Sequence, residues 1–234
     1  MSLLDLICPT RCSGCGAPGA LVCDSCSYRL DAPARRHVPT PCPATMPETW
    51  VVATYDGPVR ALLLDFKERG VAGLSRPLGV ALARAVSAAQ PRPGAPLLLV
   101  PIPSSPRAVR QRGDDVVRLL AGRAAGHLRA TGRPVRSVAA LVQRRRLADS
   151  AGLSAAQRAA NLAGGFAVRP SVVRRIDRAR VVIVDDLVTT GTTLSEAHDA
   201  LSRSGAVVVG AAAIAATRLR FGPGRPMGSR ERSW

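Results

Sequence analysis

Lysine is nearly missing from this chain. Of its 33 basic residues only Lys67 is a lysine; the rest are arginine. Aromatic side chains make up 3% of the residues, so a core has to be assembled from alanine, valine and leucine. No apolar run is long enough for a bilayer. The longest, AVVVGAAAIAA at 206–216, falls short of the roughly 20 residues a spanning helix needs. The first residues, MSLLDLIC, lack a basic n-region and carry Asp5 inside their apolar stretch, so no secretory signal is expected. Histidine is rare: His37, His127 and His198 are scattered and pair with no nucleophile. Acids are few, and the formal net charge is +17. Between Arg107 and Arg146 eleven arginines meet only two acids. Such an excess favours an anionic ligand or partner. It suits phosphorylated small molecules, or simple solubility, better than duplex nucleic acid, for which charge alone is weak evidence. A cytoplasmic protein with no membrane partner is expected.

What is present is equally uneven. Five of the six cysteines fall in the first 26 residues, as Cys8, Cys12-Ser-Gly-Cys15 and Cys23-Asp-Ser-Cys26. In a reducing compartment, cysteines at such spacing are metal ligands sooner than disulfides. Each Cys-x2-Cys turn grips one face of a tetrahedral ion, and two turns complete a closed four-sulfur site that suits Zn2+. The ligands expected are Cys12, Cys15, Cys23 and Cys26. Cys8 is an alternative to Cys12, and Cys42 is left as a free thiol. The plain alternative is reactive or disulfide-paired cysteines without metal. A closed site has no open position for water or substrate, so its role is structural.

Residues 1–30 therefore read as a small zinc-ribbon-like knuckle and the Pro-rich stretch 31–49 as a linker. Residues 50–220 read as the main domain, and 221–234, rich in Gly, Pro and Arg, as a disordered tail. Within the main domain a short strand precedes a helix that starts at Pro58 and ends before Gly70. A second helix is expected over 76–89, and a buried strand over 97–102. A loop, PSSPRAVRQRGDD, then leads to a helix over 114–130, and VRSVAALV gives the next strand. Residues 143–165 read as a polar connection holding a Ser154–Gln157 capping box. A strand into Asp185 and Asp186, a helix over 192–204 and a last strand at 206–216 complete the chain. Strands alternating with helices imply α/β architecture, a mostly parallel, doubly wound sheet.

The stretch RVVIVDDLVTTGTT at 180–193 carries the chemistry. In an open α/β sheet, ligands bind beyond the carboxyl ends of the strands. Asp185 and Asp186 are expected at such an end, with Thr189, Thr190, Gly191, Thr192 and Thr193 forming the turn into the next helix. Free N–H groups at a helix start hold phosphate. Threonine hydroxyls add donors, and Gly191 permits close backbone approach. Paired carboxylates next to a phosphate need a donor to face, and a ribose diol supplies two. The loop thus reads as a cradle for a 5-phosphorylated ribose. Two helix-capping acids in an ordinary turn are the plain alternative. A phosphatase-like pair is disfavoured because its acids usually stand two apart.

This run resembles the phosphoribosyl-pyrophosphate (PRPP) signature of type I phosphoribosyltransferases. The wider chain resembles one branch of them, the ComF (competence protein F) or GntX-like family, through its cysteines, YDGPVRALLLDFKERG, LLLVPIPSSPRAVRQRGDD and GLSAAQRAANLAGGFAV. The resemblance implies PRPP with Mg2+ as ligand and transfer of its phosphoribosyl group to a nitrogenous acceptor. It places a family lysine at Lys67, pyrophosphate contacts at Ser104, Ser105, Arg107 and Arg112, and a closing flap at Arg144, Arg145 and Arg146. It names no catalytic residue. Two departures bear on chemistry. Asp114 and Asp115 stand where relatives often have Phe-Asn after Arg-Gly, and RRRLADSAGLS lacks the flap's Thr and Gln. A second function class therefore stays open: a non-catalytic PRPP- or nucleotide-responsive module acting with single-stranded DNA or DNA-processing proteins.

Overall fold

The computed structural model describes residues 11–90, 94–144 and 165–217. The chain order is α1 (Asp24–Leu30), β1 (Arg35–His37), β2 (Thr49–Thr54), α2 (Gly57–Glu68), α3 (Ser75–Ala89), β3 (Leu97–Pro101), α4 (Pro106–Arg112), α5 (Val116–Ala130), β4 (Val135–Ser137), β5 (Leu141–Gln143), β6 (Phe166–Val168), α6 (Val173–Ile176), β7 (Arg180–Val188), α7 (Thr192–Ser202) and β8 (Val207–Ala216). The main sheet runs β1-β2-β8-β7-β3-β4. Only β1 is antiparallel to its neighbour; β2, β8, β7, β3 and β4 are mutually parallel.

β7 lies at the centre because its side chains are apolar on both faces. Val181, Val182, Ile183 and Val184 are all fully buried, each worth about 2 kcal/mol relative to exposure. Val182 and Val184 pack into the layer built by α2, α3 and α5, with Leu62, Leu78 and Leu120. Val181 and Ile183 pack into the opposite layer with Leu194 and Leu201 of α7, Ile176 of α6 and Phe166 of β6. Helices thus cover both faces, as the doubly wound reading requires.

Several local expectations change. The stretch after β3 is helical rather than looped. Ser105 accepts the Ala108 N–H at 3.2 Å, Pro106 takes the first helical position, and Gly113, at φ 82°, ends α4 in the left-handed region. These are the punctuation marks of a helix. VRSVAALV is two strands, because β4 leaves β3 after Ser137 and the chain turns at Val138 into β5, which pairs with β6 in a separate two-stranded sheet. The Pro-rich stretch contains β1, held by its pairing with β2. The Ser154–Gln157 box and the tail from 221 lie outside the described residues. Among the described residues no helix is long and apolar enough to cross a membrane.

Candidate functional site

β7 continues past the acids. Asp185, Leu187 and Val188 still pair with Ala213, Ala215 and Ala216 of β8. The turn is therefore only Thr189–Gly191, and Thr192 and Thr193 already belong to α7. Adjacent strand residues point to opposite faces, so the two carboxylates have different surroundings. Asp186 is almost fully buried and forms an ion pair with Lys67, Nζ to Oδ2 2.6 Å, from the last turn of α2. The single lysine thus neutralises the buried acid of the pair. Asp185 is only partly accessible, and its Oδ1 accepts the Asp186 N–H at 2.8 Å. Burial, and then the Asp186 carboxylate beside it, push Asp185 well above the usual carboxylate range; that N–H and Lys67 oppose the shift.

A raised carboxyl pKa means that the folded chain keeps a proton at Asp185 to higher pH than the unfolded chain does. Stability therefore falls as pH rises out of the ordinary carboxylate range. Asp185→Asn retains an acceptor for the Asp186 N–H. It is expected to raise the melting temperature by a few degrees at pH 7, with the gain vanishing below about pH 4. Melting curves between pH 4 and 8 check this.

Thr189, Thr190, Thr192 and Thr193 are exposed at the mouth of the turn, and the Thr190 and Thr192 hydroxyls share a hydrogen bond of 3.1 Å. Gly191 occupies the N-cap of α7 at φ 77°, so the helix starts without a side-chain cap. The first-turn N–H groups are left to other acceptors. Glycine is needed here for a second reason. The direction a side chain would take is filled by Met46 and Pro39 of the Pro-rich stretch. That stretch is tied to α7 by a 2.6 Å hydrogen bond between the Thr45 and Ser195 hydroxyls. The close approach foreseen for Gly191 is thus made, on this side, by the chain's own residues. The spacing of the motif carried no sign of it.

The other sequence-derived positions divide. β3 ends next to the motif, where the Ile102 N–H donates to the Val184 carbonyl at 2.9 Å. Ser104 follows, and its hydroxyl donates to Asp115 Oδ1 at 3.0 Å. Asp115 in turn caps α5 by accepting the Arg118 N–H at 3.3 Å. The Asp115 carboxylate is thus committed to Ser104 and the helix start. Asp114 and Arg107 are exposed, and Ser105 is the cap of α4. Arg112 is the last residue of α4. Arg144 is exposed beside the end of β5, its N–H donating to the Gly165 carbonyl at 2.9 Å. Gln143 Nε2 donates to the Pro103 carbonyl at 3.2 Å, so β5 is anchored to the loop after β3. Arg145 and Arg146 lie outside the described residues.

At the other end of the chain the Sγ atoms of Cys12, Cys15, Cys23 and Cys26 all lie within 4.8 Å of one another. Tetrahedral zinc with Zn–S bonds near 2.3 Å sets its sulfurs about 3.8 Å apart. The donor set therefore fits. Cys12 Sγ accepts the N–H groups of Gly14 and Cys23, each at 3.4 Å. Burial of Cys12 opposes ionisation, but these amides and that of Cys15 outweigh it and lower its pKa. The Ser25 hydroxyl, then the Cys26 amide and Cys15, bring Cys23 down to about 6. Gly14 is required by space, since a Cβ there would sit 2.7 Å from Cys26 Sγ. Cys8 lies outside the described residues, and Cys42 is exposed with its thiol on the Pro43 carbonyl.

Acids near the carboxyl end of a central parallel strand, a Thr–Gly turn and a helix start free of side-chain caps thus follow one another along the chain. Residues 119–223 match the family model of the phosphoribosyl transferase domain. The matched stretch begins inside α5 and includes β7, the Thr–Gly turn, α7 and β8. Lys67, Ser104 and the cysteine knuckle lie outside it. No curated protein matches the chain. The match is a likeness over less than half of the chain.

Proposed function

We propose that the end of β7 binds PRPP together with Mg2+, and that the chain is a ComF/GntX-like phosphoribosyltransferase. The observation that carries the reading is the acid pair with its lysine, next to the uncapped start of α7. Asp185 and Asp186 accept hydrogen bonds from the ribose hydroxyls. The N–H and hydroxyl groups of Thr189, Thr190, Gly191, Thr192 and Thr193 hold the 5-phosphate. Lys67 holds the Asp186 carboxylate in place through their ion pair and brings an ammonium to the pyrophosphate side. Ser105, Arg107 and Arg112 are the pyrophosphate contacts, and Arg144 and Arg146 the flap residues, that the family resemblance implies. Two carboxylates suit Mg2+, which is held by one or two carboxylates plus substrate phosphates. When bound it supplies neutralisation of the pyrophosphate.

In the reaction the bond from ribose C1 to pyrophosphate breaks as a nitrogen of the acceptor forms its bond to C1. The bonding pair leaves on pyrophosphate. The protein's part is positioning and charge stabilisation. The arginines meet the charge developing on the leaving group, while the carboxylates face the sugar as it turns cationic. The knuckle, with structural Zn2+, packs against the main core and takes no part in the chemistry of this cytoplasmic protein.

One observation favours the second reading, a PRPP- or nucleotide-responsive module in DNA uptake or processing. The Ser104 hydroxyl is donated to Asp115 and so withdrawn from pyrophosphate. Release of pyrophosphate from PRPP and Mg2+ across a panel of nucleobases separates the two. Turnover with one base, absent in Asp185→Asn/Asp186→Asn, is expected of the transferase. PRPP binding without release would assign the module.

A further inference from the structure

The amino-terminal ends of β3, β4 and β7, opposite the Thr–Gly turn, open into a cleft of about 730 Å³. Eight residues of β7 separate the two ends, about 25 Å of extended chain. Five arginines line the cleft: Arg129, Arg136, Arg175, Arg178 and Arg180. An adjoining cleft of about 440 Å³ shares Arg129, Arg136 and Arg175 with it. Among the described residues no acidic side chain lines either one. The acid closest in sequence, Asp177, sits with its Oδ1 against Gly205, where a side chain on that glycine would lie.

Five guanidinium groups around one cavity repel one another unless an anion joins them. On an open surface, water and salt would screen them. Three features set this place apart from a solvated basic face. Arg180 is half-buried, and its Nε is shielded from water and has no hydrogen-bond partner among the described residues, while its Nη2 donates to Gln90 Oε1 at 3.0 Å. Arg178 has φ 55°, in the left-handed region that costs a non-glycine residue about 1 kcal/mol. The floor is apolar, with exposed Pro96 and Pro134 flanking Leu98. A simple anion would use the arginines alone. An anion carrying a flat apolar group would use both.

We infer that this cleft is a second ligand site, distinct from the acid pair, that takes a nucleotide. Its phosphates lie among the arginines, whose planar forks match phosphate oxygens. Its base rests on the proline and leucine floor, with a guanidinium plane available for stacking. The volume falls within the range of small-molecule sites.

Calorimetric titration of the full chain with ADP tests this. Arg136 and Arg175 are exposed, so Arg136→Ala/Arg175→Ala is expected to fold, and circular dichroism verifies it. The single variant Arg175→Ala provides a milder change. We expect saturable ADP binding that weakens fivefold or more in the double variant and persists within twofold in Asp185→Asn/Asp186→Asn. Inorganic pyrophosphate should bind at least fivefold more weakly than ADP. A smaller loss in the arginine variant, a loss that tracks the acid pair, or pyrophosphate binding on a par with ADP would each overturn the site. So would binding of a single-stranded oligonucleotide in the absence of any ADP binding.

Discussion

Removing the metal from the four cysteines will destabilise the whole chain, not merely its first residues. Cys12, Cys26 and Leu30 belong to the same apolar cluster as Val52, Leu62, Leu78 and Leu82 of the main sheet and helices. Ala17, Leu21 and Val22 pack against that cluster from the knuckle. A knuckle that loses its ion loses its fold, because so short a segment has no core of its own and draws its folding energy from the ion, about 10 kcal/mol or more. The lid over Leu62 and Leu78 would then open to water. Purified protein should carry close to one zinc per chain. Cys26→Ser, or chelation, should lower the melting temperature by at least about 10 °C. The drop should appear as a shift of the main transition. A metal content below a third of one zinc per chain under reducing conditions, or an unchanged main transition after chelation, contradicts the account.

Lys67→Met should cost about 3 kcal/mol, because it leaves a buried carboxylate without its counter-charge. The side chain of Asp186 is 4% exposed and its carboxylate lies 2.6 Å from the Lys67 ammonium, with the second acid next in sequence. For a chain of this size that loss corresponds to a fall of roughly 6–12 °C in melting temperature. The deciding measurement is the double variant. Adding Asp186→Asn removes the stranded charge, so Lys67→Met/Asp186→Asn should recover most of the lost stability. If the single variant melts within 1 °C of wild type, or if the second change adds to the first, the ion pair is not the link between α2 and β7 that its geometry implies.

The order of elements was readable because the apolar runs are uninterrupted: Val181–Val184 and 206–216 admit no other burial than the middle of a parallel sheet. The cysteine cluster was readable from the two Cys-x2-Cys spacings, which left Cys8 open as an alternative to Cys12. Where the reading fell short, the determinant was not a periodic pattern. α4 was missed since Arg107, Arg110 and Arg112 give it no broad apolar face, although Ser105, Pro106 and Gly113 marked both its ends. β1 has two charged residues in three and exists because β2 offers it an edge. Asp115 read only as a departure from the family pattern; its role as the cap of α5 and partner of Ser104 follows from a turn that sequence spacing does not fix. Met46 over Gly191, and Lys67 against Asp186, join segments far apart in the chain. No local pattern records such contacts. The lysine was found only through its rarity and the family resemblance.

Titration of PRPP with Mg2+ into the wild-type chain and into Asp185→Asn/Asp186→Asn bears most directly on the reading of β7 as a sugar-phosphate site. Asn is nearly isosteric and keeps acceptors in place, so folding is preserved while both carboxyl groups go. Saturable binding by the wild type at one site per chain, weakened a hundredfold or more in the double variant, is the predicted result. No heat of binding in the wild type, or equal affinity in the two proteins, would contradict it.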